Sequence, residues 1–156
     1  MTPSENCSVS RVTYTAGGFV KYMEIRSISW EQTIPLRHKV LWPNKTLAYC
    51  QVDGDEEGVH FGAFINNDLI CVASIYLKSE KARLRKFATD AGFQNQGIGS
   101  KMLEFIIRYL KNTQAKVFWC DARESALGFY ERFEMYQCSE RFYKADVSYF
   151  KVEVAL

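Results

Sequence analysis

Much of what specialised architectures require is scarce in this 156-residue sequence. It has 9 glycines and 3 prolines, too few for a collagenous or low-complexity chain. Its five cysteines (Cys7, Cys50, Cys71, Cys120 and Cys138) are an odd, widely spaced set with no Cys-x-x-Cys. That pattern argues against a disulfide framework and against a structural zinc site. Only His38 and His60 are available as imidazoles, so no metal is expected. No run approaches the roughly 18 consecutive apolar residues of a membrane helix, and the polar first ten residues lack the apolar stretch of a secretory signal. Neither sign of charge dominates: 20 Lys and Arg against 18 Asp and Glu leave a net +2. That balance excludes bulk phosphate-backbone binding, so neither a nucleic acid nor a membrane is an expected partner.

What is present suits a reduced, cytoplasmic, globular α/β protein. Apolar residues make up 47% and aromatics 15%, enough to fill a core. At this length one domain is the natural expectation, burying roughly 70% of the unfolded chain's surface. Residues 1–20 carry weak signals around Ala16-Gly17-Gly18 and read as a flexible arm or an extra edge segment. Residues 21–156 read as the single domain.

Along that domain, Lys21 to Ile28 reads as a strand and Trp30 to Leu41 as a helix whose first turn holds Pro35. An acidic loop follows, with Asp53, Asp55, Glu56 and Glu57. His60 to Ile65 and Leu69 to Leu77 flank Asn66-Asn67-Asp68, a hairpin by turn composition. Its second arm is apolar on both faces and reads as central in a sheet. Ala82 to Thr89 is a strand whose alternation slips at Arg85-Lys86, the signature of a bulge. Gly97 to Lys111 is an amphipathic helix, Val117 to Cys120 a short strand, and Glu124 to Phe133 a further helix. Tyr136 to Cys138 and Val147 to Val154 supply two closing strands.

The informative stretch is Asp90-Ala91-Gly92-Phe93-Gln94-Asn95-Gln96-Gly97-Ile98-Gly99-Ser100, between a strand and a helix. A helix start offers unpaired amides and the positive end of the dipole, and glycines let a ligand approach the backbone. An anion cradle is one reading of these glycines, and tight strand-to-helix packing is the other. Two common nucleotide motifs fail: there is no Gly-x-x-x-x-Gly-Lys-Ser/Thr, and the third glycine of a dinucleotide fingerprint is Met102.

Gln94-Asn95-Gln96-Gly97-Ile98-Gly99 resembles the Gln/Arg-x-x-Gly-x-Gly/Ala motif of the GNAT superfamily of acyl-CoA N-acyltransferases. Leu103 just beyond is typical of that family, and Ala126-Leu127-Gly128-Phe129-Tyr130 resembles its Ala-x-x-Phe-Tyr segment. The order of elements agrees from residue 21 onward. Two departures stand out. Glu134-Met135 replaces the family's Gly-Phe, and Arg123 stands where many members carry Asn.

The resemblance implies a mixed, mostly antiparallel sheet of six or seven strands, flanked by helices and splayed between its fourth and fifth strands. It implies acetyl-CoA as co-substrate. The amides of Asn95, Gln96, Gly97, Ile98, Gly99 and Ser100 would hold the pyrophosphate, with Gln94 and Arg123 beside them. The backbone of Phe87, Ala88 and Thr89 would pair with the pantetheine arm. The implied reaction is direct acetyl transfer to a primary amine of a small molecule or peptide. Tyr130 would act as general acid to the departing thiolate, although its i, i+3, i+4, i+7 spacing with Ala126, Phe129 and Phe133 also suits a core aromatic. Asp121, Glu124, Glu57 or water are candidate bases, and an acyl-Cys120 intermediate is disfavoured for a buried strand cysteine. Arg85 and Lys86 favour an anionic acceptor and the acidic loop a cationic one. A catalytically silent acyl-CoA sensor is the competing class. Aromatics on the closing strands leave room for a homodimer.

Overall fold

A computed structural model describes residues 9–156. They fall into two compact units: one of the chain up to Tyr76 with Lys86–Phe105, the other of Leu77–Arg85 with Ile106–Leu156.

The first unit holds antiparallel strands β1 (Ser10–Ala16), β2 (Phe19–Ile28), β3 (Val59–Ile65) and most of β4 (Asp68–Lys78), hydrogen-bonded in that order. Both hairpins close on pairs of left-handed residues, Gly17-Gly18 and Asn66-Asn67. Such pairs match the twist of the strands they join. Of residues 1–20, Ser10–Ala16 form edge strand β1, residues 1–8 lie outside the described ones, and the remainder belongs to the turn and the start of β2. Helix α1 (Trp30–Val40) begins with a capping box in which Ser29 and Gln32 satisfy each other's backbone amides. Pro35 lies in the second turn rather than the first; the helix runs through it, with one intrahelical bond missing. The last residues of β5 (Lys81–Thr89) and the start of α2 (Ile98–Leu110) complete this unit. Ile28, Leu36, Phe64, Val72 and Ala88 pack as one apolar cluster.

In the second unit, the first residues of β5 run parallel to β6 (Val117–Arg123), in register only over Lys81–Arg83. The ladder between these two strands stops there, as expected of a sheet that opens between them. Strand β6 pairs along its whole length with antiparallel β9 (Val147–Ala155), which also carries β7 (Tyr136–Gln137) and β8 (Phe142–Lys144). Phe118, Cys120, Ala122, Phe150 and Val152 are the buried face of β6 and β9. The helix expected over residues 124–133 is a 3-10 turn, Glu124–Ala126, followed by the five-residue α3 (Leu127–Glu131).

The fold is thus mixed and mostly antiparallel, with nine strands among the described residues rather than six or seven. Strand β1 is the extra edge segment that was one of the two expectations for residues 1–20, and β8 escaped the sequence because its three residues bury little.

Candidate active site

The turn after β5 is closed by polar side chains folding back on the main chain. Asp90 accepts from the Gly92 amide at 3.0 Å and holds Lys39 Nζ at 2.6 Å. The Lys39 contact, helped by that amide, keeps the Asp90 carboxyl below its ordinary pKa. The one acid of the loop is therefore ionised and already partnered. Gln94 Nε2 donates to the Thr89 carbonyl at 3.0 Å, and Gln96 Nε2 to the Gly92 carbonyl at 3.4 Å.

Asn95 and Gly97 are both left-handed, with φ of +61° and +78°. Reversals of this kind turn successive amides toward one concave side, the geometry that gathers N–H groups around an anion. Helix α2 starts immediately after, its first bond running from the Lys101 amide to the Gly97 carbonyl at 3.1 Å. Helix geometry gives the Ile98 and Gly99 amides no acceptor within the helix. No acidic side chain sits in the first turn, so nothing cancels the positive end of the dipole. A Cβ built on Gly97 would meet nothing within 4 Å, so the space over the turn is open. Amide donors, dipole and open space together fit a phosphate or pyrophosphate group.

Upstream, Lys86 is left-handed, with φ of +52°, and its Nζ lies 4.4 Å from the centre of the Trp42 ring. Ala88 is buried, while Phe87 and Thr89 are half-buried. The Thr89 hydroxyl donates to Cys71 Sγ at 3.4 Å.

Tyr130 and Arg123 belong to the second unit. Arg123 is exposed at the end of β6. Tyr130 is on α3, buried, with its ring edge-on to Phe129 at 5.1 Å. Burial first, and the neighbouring Cys120 second, push its pKa well above the ordinary tyrosine value. It is a neutral phenol at any physiological pH. The Cys120 thiol is itself pushed up to about 12 by burial, so it is a poor nucleophile. After α3 the Tyr130 carbonyl accepts from the Phe133 and Met135 amides at 2.9 and 3.2 Å. Glu134 occupies the position of the missing glycine and adopts that glycine's conformation, with φ of +61°, while Met135 is fully buried.

Two of the candidate bases are taken up in ion pairs. Asp121 accepts from Arg83 at 2.9 Å and Lys144 at 3.2 Å. Glu124 holds Arg141 through both oxygens and accepts from Ser148 at 2.7 Å; the Arg141 contact pulls its pKa below the ordinary value. Glu57 is exposed on its loop. His38 donates from Nε2 to the Lys45 carbonyl at 2.8 Å.

Sequence reasoning missed a buried polar network in the first unit. Arg37, fully buried on α1, donates to both oxygens of Asp55 at 2.8 and 3.0 Å, to Ser74 at 2.9 Å and to the Cys50 carbonyl at 3.0 Å. Tyr76 donates to Asp55 at 2.6 Å. Burial alone would raise the Asp55 pKa, but its hydrogen bonds outweigh that and hold it below the ordinary value. His60 Nε2 lies 2.8 Å from the Asp55 carbonyl, which can only accept, so that nitrogen carries the proton. Its Nδ1 then accepts from Ser74 at 2.7 Å. Asp55 was grouped with the acidic loop by sequence; the structure turns it inward. Arg37 shares the buried face of α1 with Thr33 and Leu36, and no spacing in the sequence links it to Asp55.

Among the described residues no group of three or more His, Cys, Asp or Glu is placed to hold a metal ion. None of their helices is long and apolar enough to cross a membrane.

Comparison with known proteins agrees with this geometry. The family model described as Acetyltransferase (GNAT) family matches residues 22–135. The chain belongs to the GNAT acetyltransferase family and is an acyltransferase. Over 129 residues it is 30% identical to the uncharacterized N-acetyltransferase YitI of Bacillus subtilis, covering 77% of this chain and 87% of that one. Over 97 residues it is 29% identical to the ribosomal protein bS18 alanine N-acetyltransferase of Escherichia coli, covering 60% of this chain and 64% of that protein. Its fold is similar to a GNAT acetyltransferase from Elizabethkingia anophelis with acetyl-CoA bound, at TM-score 0.63 and 20% identity over 95% of this chain and 98% of that one.

Proposed function

We propose that this protein transfers an acetyl group from acetyl-CoA directly to a primary amine of a small molecule or peptide. The observation that carries the reading is the Gln94–Gly99 turn. Its two left-handed residues open a thirteen-residue helix with no acid in the first turn, in a chain of the GNAT family. The amides of Asn95 to Ser100 hold the pyrophosphate, and the β5 backbone at Phe87, Ala88 and Thr89 receives the pantetheine arm as an added strand would. Binding both reactants in one place supplies much of the rate through proximity.

A neutral amine attacks the thioester carbonyl, and its nitrogen then releases a proton to water. Asp121 and Glu124 are committed to ion pairs, which favours water over either carboxylate as the acceptor. As the carbon–sulfur bond breaks, Tyr130 gives its hydroxyl proton to the thiolate and regains one from solvent. A buried, neutral phenol suits that role because it arrives protonated. Direct transfer is favoured over an acyl-Cys120 route, since a thiol titrating near 12 supplies almost no thiolate at neutral pH.

Thermal shift and thiol release test the reading together. Acetyl-CoA should raise the melting temperature, whereas ATP and NAD should not, and CoA thiol should appear with members of an amine and peptide panel. Gly97→Val, forcing a β-branched residue into a left-handed position over the turn, should reduce the acetyl-CoA shift. No shift with saturating acetyl-CoA would sink the assignment.

A further inference from the structure

In the first unit, β1 presents a sheet edge suited to pairing with another strand. Gly17-Gly18 is a two-residue loop, so its flanking pair, Ala16 and Phe19, exchanges both hydrogen bonds. Bonded pairs then alternate along the hairpin. Ser10, Val12 and Tyr14 therefore bond to β2, while Arg11, Thr13 and Thr15 aim their N–H and C=O groups at the free edge. Among the described residues no strand takes these groups up, since β1 has β2 as its single neighbour. Sheet edges are ordinarily blunted by shortness, proline, lysine or a bulge. Strand β1 has none of these, and its seven residues stay in unbroken register with β2 from Ser10–Ile25 to Ala16–Phe19. Its single charge, Arg11, places its guanidinium 4.3 Å from the centre of the Tyr22 ring, over its own neighbouring strand. In the second unit β9 is handled differently, with the short strands β7 and β8, of two and three residues, lying along it.

We infer that the β1 edge is a homodimer interface, at which β1 of a second copy adds antiparallel about a two-fold axis through Thr13. Thr13 is the midpoint of the strand, so this register uses all seven residues. Thr13 then faces Thr13, Val12 faces Tyr14, Arg11 faces Thr15 and Ser10 faces Ala16. Three properties favour a second copy as the occupant. Facing residues share one side of the pleat, so Val12 and Tyr14 of both copies stay on the inward face, where Tyr14 is buried. The three residues that aim groups outward meet one another, which gives every free N–H and C=O a partner. No like charges meet, whereas an axis through Arg11 would oppose two guanidinium groups. On the outer face the row across the axis reads Tyr22, Thr13, Thr13, Tyr22, and opposed threonines are a favourable cross-strand pair. Tyr22 is 56% exposed, so the described chain leaves that row open to a partner.

Sedimentation equilibrium of the full chain over a range of concentrations tests this. Seven paired residues make a small interface, so the dissociation constant should be micromolar rather than nanomolar, with the mass rising toward twice that of one chain. Thr13→Lys and Thr13→Glu each oppose like charges across the axis and should each weaken the dimer at least about tenfold. An equimolar mixture of the two should dimerise again, because the axis brings Lys against Glu. Thr13→Pro removes an N–H that β2 does not use, and should abolish the dimer with the melting temperature of the monomer little changed. A monomeric mass at every concentration would overturn the inference. Protection of the Arg11, Thr13 and Thr15 amides from hydrogen exchange in that monomer would give the edge to a strand of the same chain instead. A dimer that survives both charge variants would place the contact elsewhere and overturn the inference as well, as would a mixture of the two that stays monomeric.

Discussion

Two groups of carboxylates look alike in sequence and behave differently in the fold. In the first unit Asp55 is 2% exposed and bound by Arg37, Tyr76 and the Val52 amide, each within 3.0 Å for at least one contact. In the second unit Glu124 and Asp121 pair with Arg141, Arg83 and Lys144 on a half-exposed sheet face. The distances are similar, and the energetics are not. Taking a charge out of water is expensive, so Asp55 depends on every partner it has, and Arg37 on Asp55. At the surface, water replaces a lost partner at little cost. The contrast also bears on function. Asp55 is removed from any part in attracting a cationic acceptor, while Asp53, Glu56 and Glu57 stay exposed.

The largest effect expected is from Asp55→Ala. Leaving Arg37 buried and unpaired should cost about 3–5 kcal/mol, a fall in melting temperature on the order of 10 °C. A fall of no more than a degree or two would place this pair with the surface bridges and break the comparison.

Acid should act next. The folded-state pKa of His60 is depressed, chiefly by burial, so the native state holds fewer protons than the unfolded chain just below the ordinary value near 6.5. Stability should therefore fall as pH drops from about 7 to 5, with the loss from Asp55 following below its ordinary value near 3.8. Protonation at Nδ1 would also put a donor against the Ser74 hydroxyl that now donates to it. A His60→Gln variant should show a flatter melting-temperature profile across that window, and an equal slope would remove His60 as the cause.

In the second unit backbone conformation should matter more than charge. Glu134 bears the left-handed cost that a glycine would avoid. Glu134→Gly should therefore stabilise by about 1 kcal/mol, or roughly 2–4 °C, whereas Glu134→Val should destabilise. The smallest effect belongs to Glu124→Gln. It loses the charge on an exposed pair and should leave the melting temperature almost unmoved, while a large fall would show that the surface pair resembles the buried one after all.

Local features were the legible ones. The hairpin at Asn66-Asn67 and the turn at Asn95 and Gly97 depend on backbone preferences of a few adjacent residues, and their left-handed φ values agree with that reading. The missing glycine at Glu134 was visible as a departure, and the chain resolves it by adopting the strained conformation without the residue that suits it. Pro35 was misplaced by one turn because tertiary packing of Leu36 and Arg37 carries α1 past it. The segment after Glu124 was expected as one helix because its apolar spacing is helical, yet regular helix covers only Leu127–Glu131.

The residues from Asp90 to Ser100, with Tyr130 downstream, determined the family by themselves, because they form a contiguous turn and helix start whose backbone conformation is set locally. The buried partnerships were decided only in three dimensions. Arg37 meets Asp55 across 18 positions and Ser74 across 37. Nothing in the spacing of these residues distinguishes an inward carboxylate from an exposed one, since burial depends on which distant elements pack above it. That same packing sets the cost of the Asp55 charge.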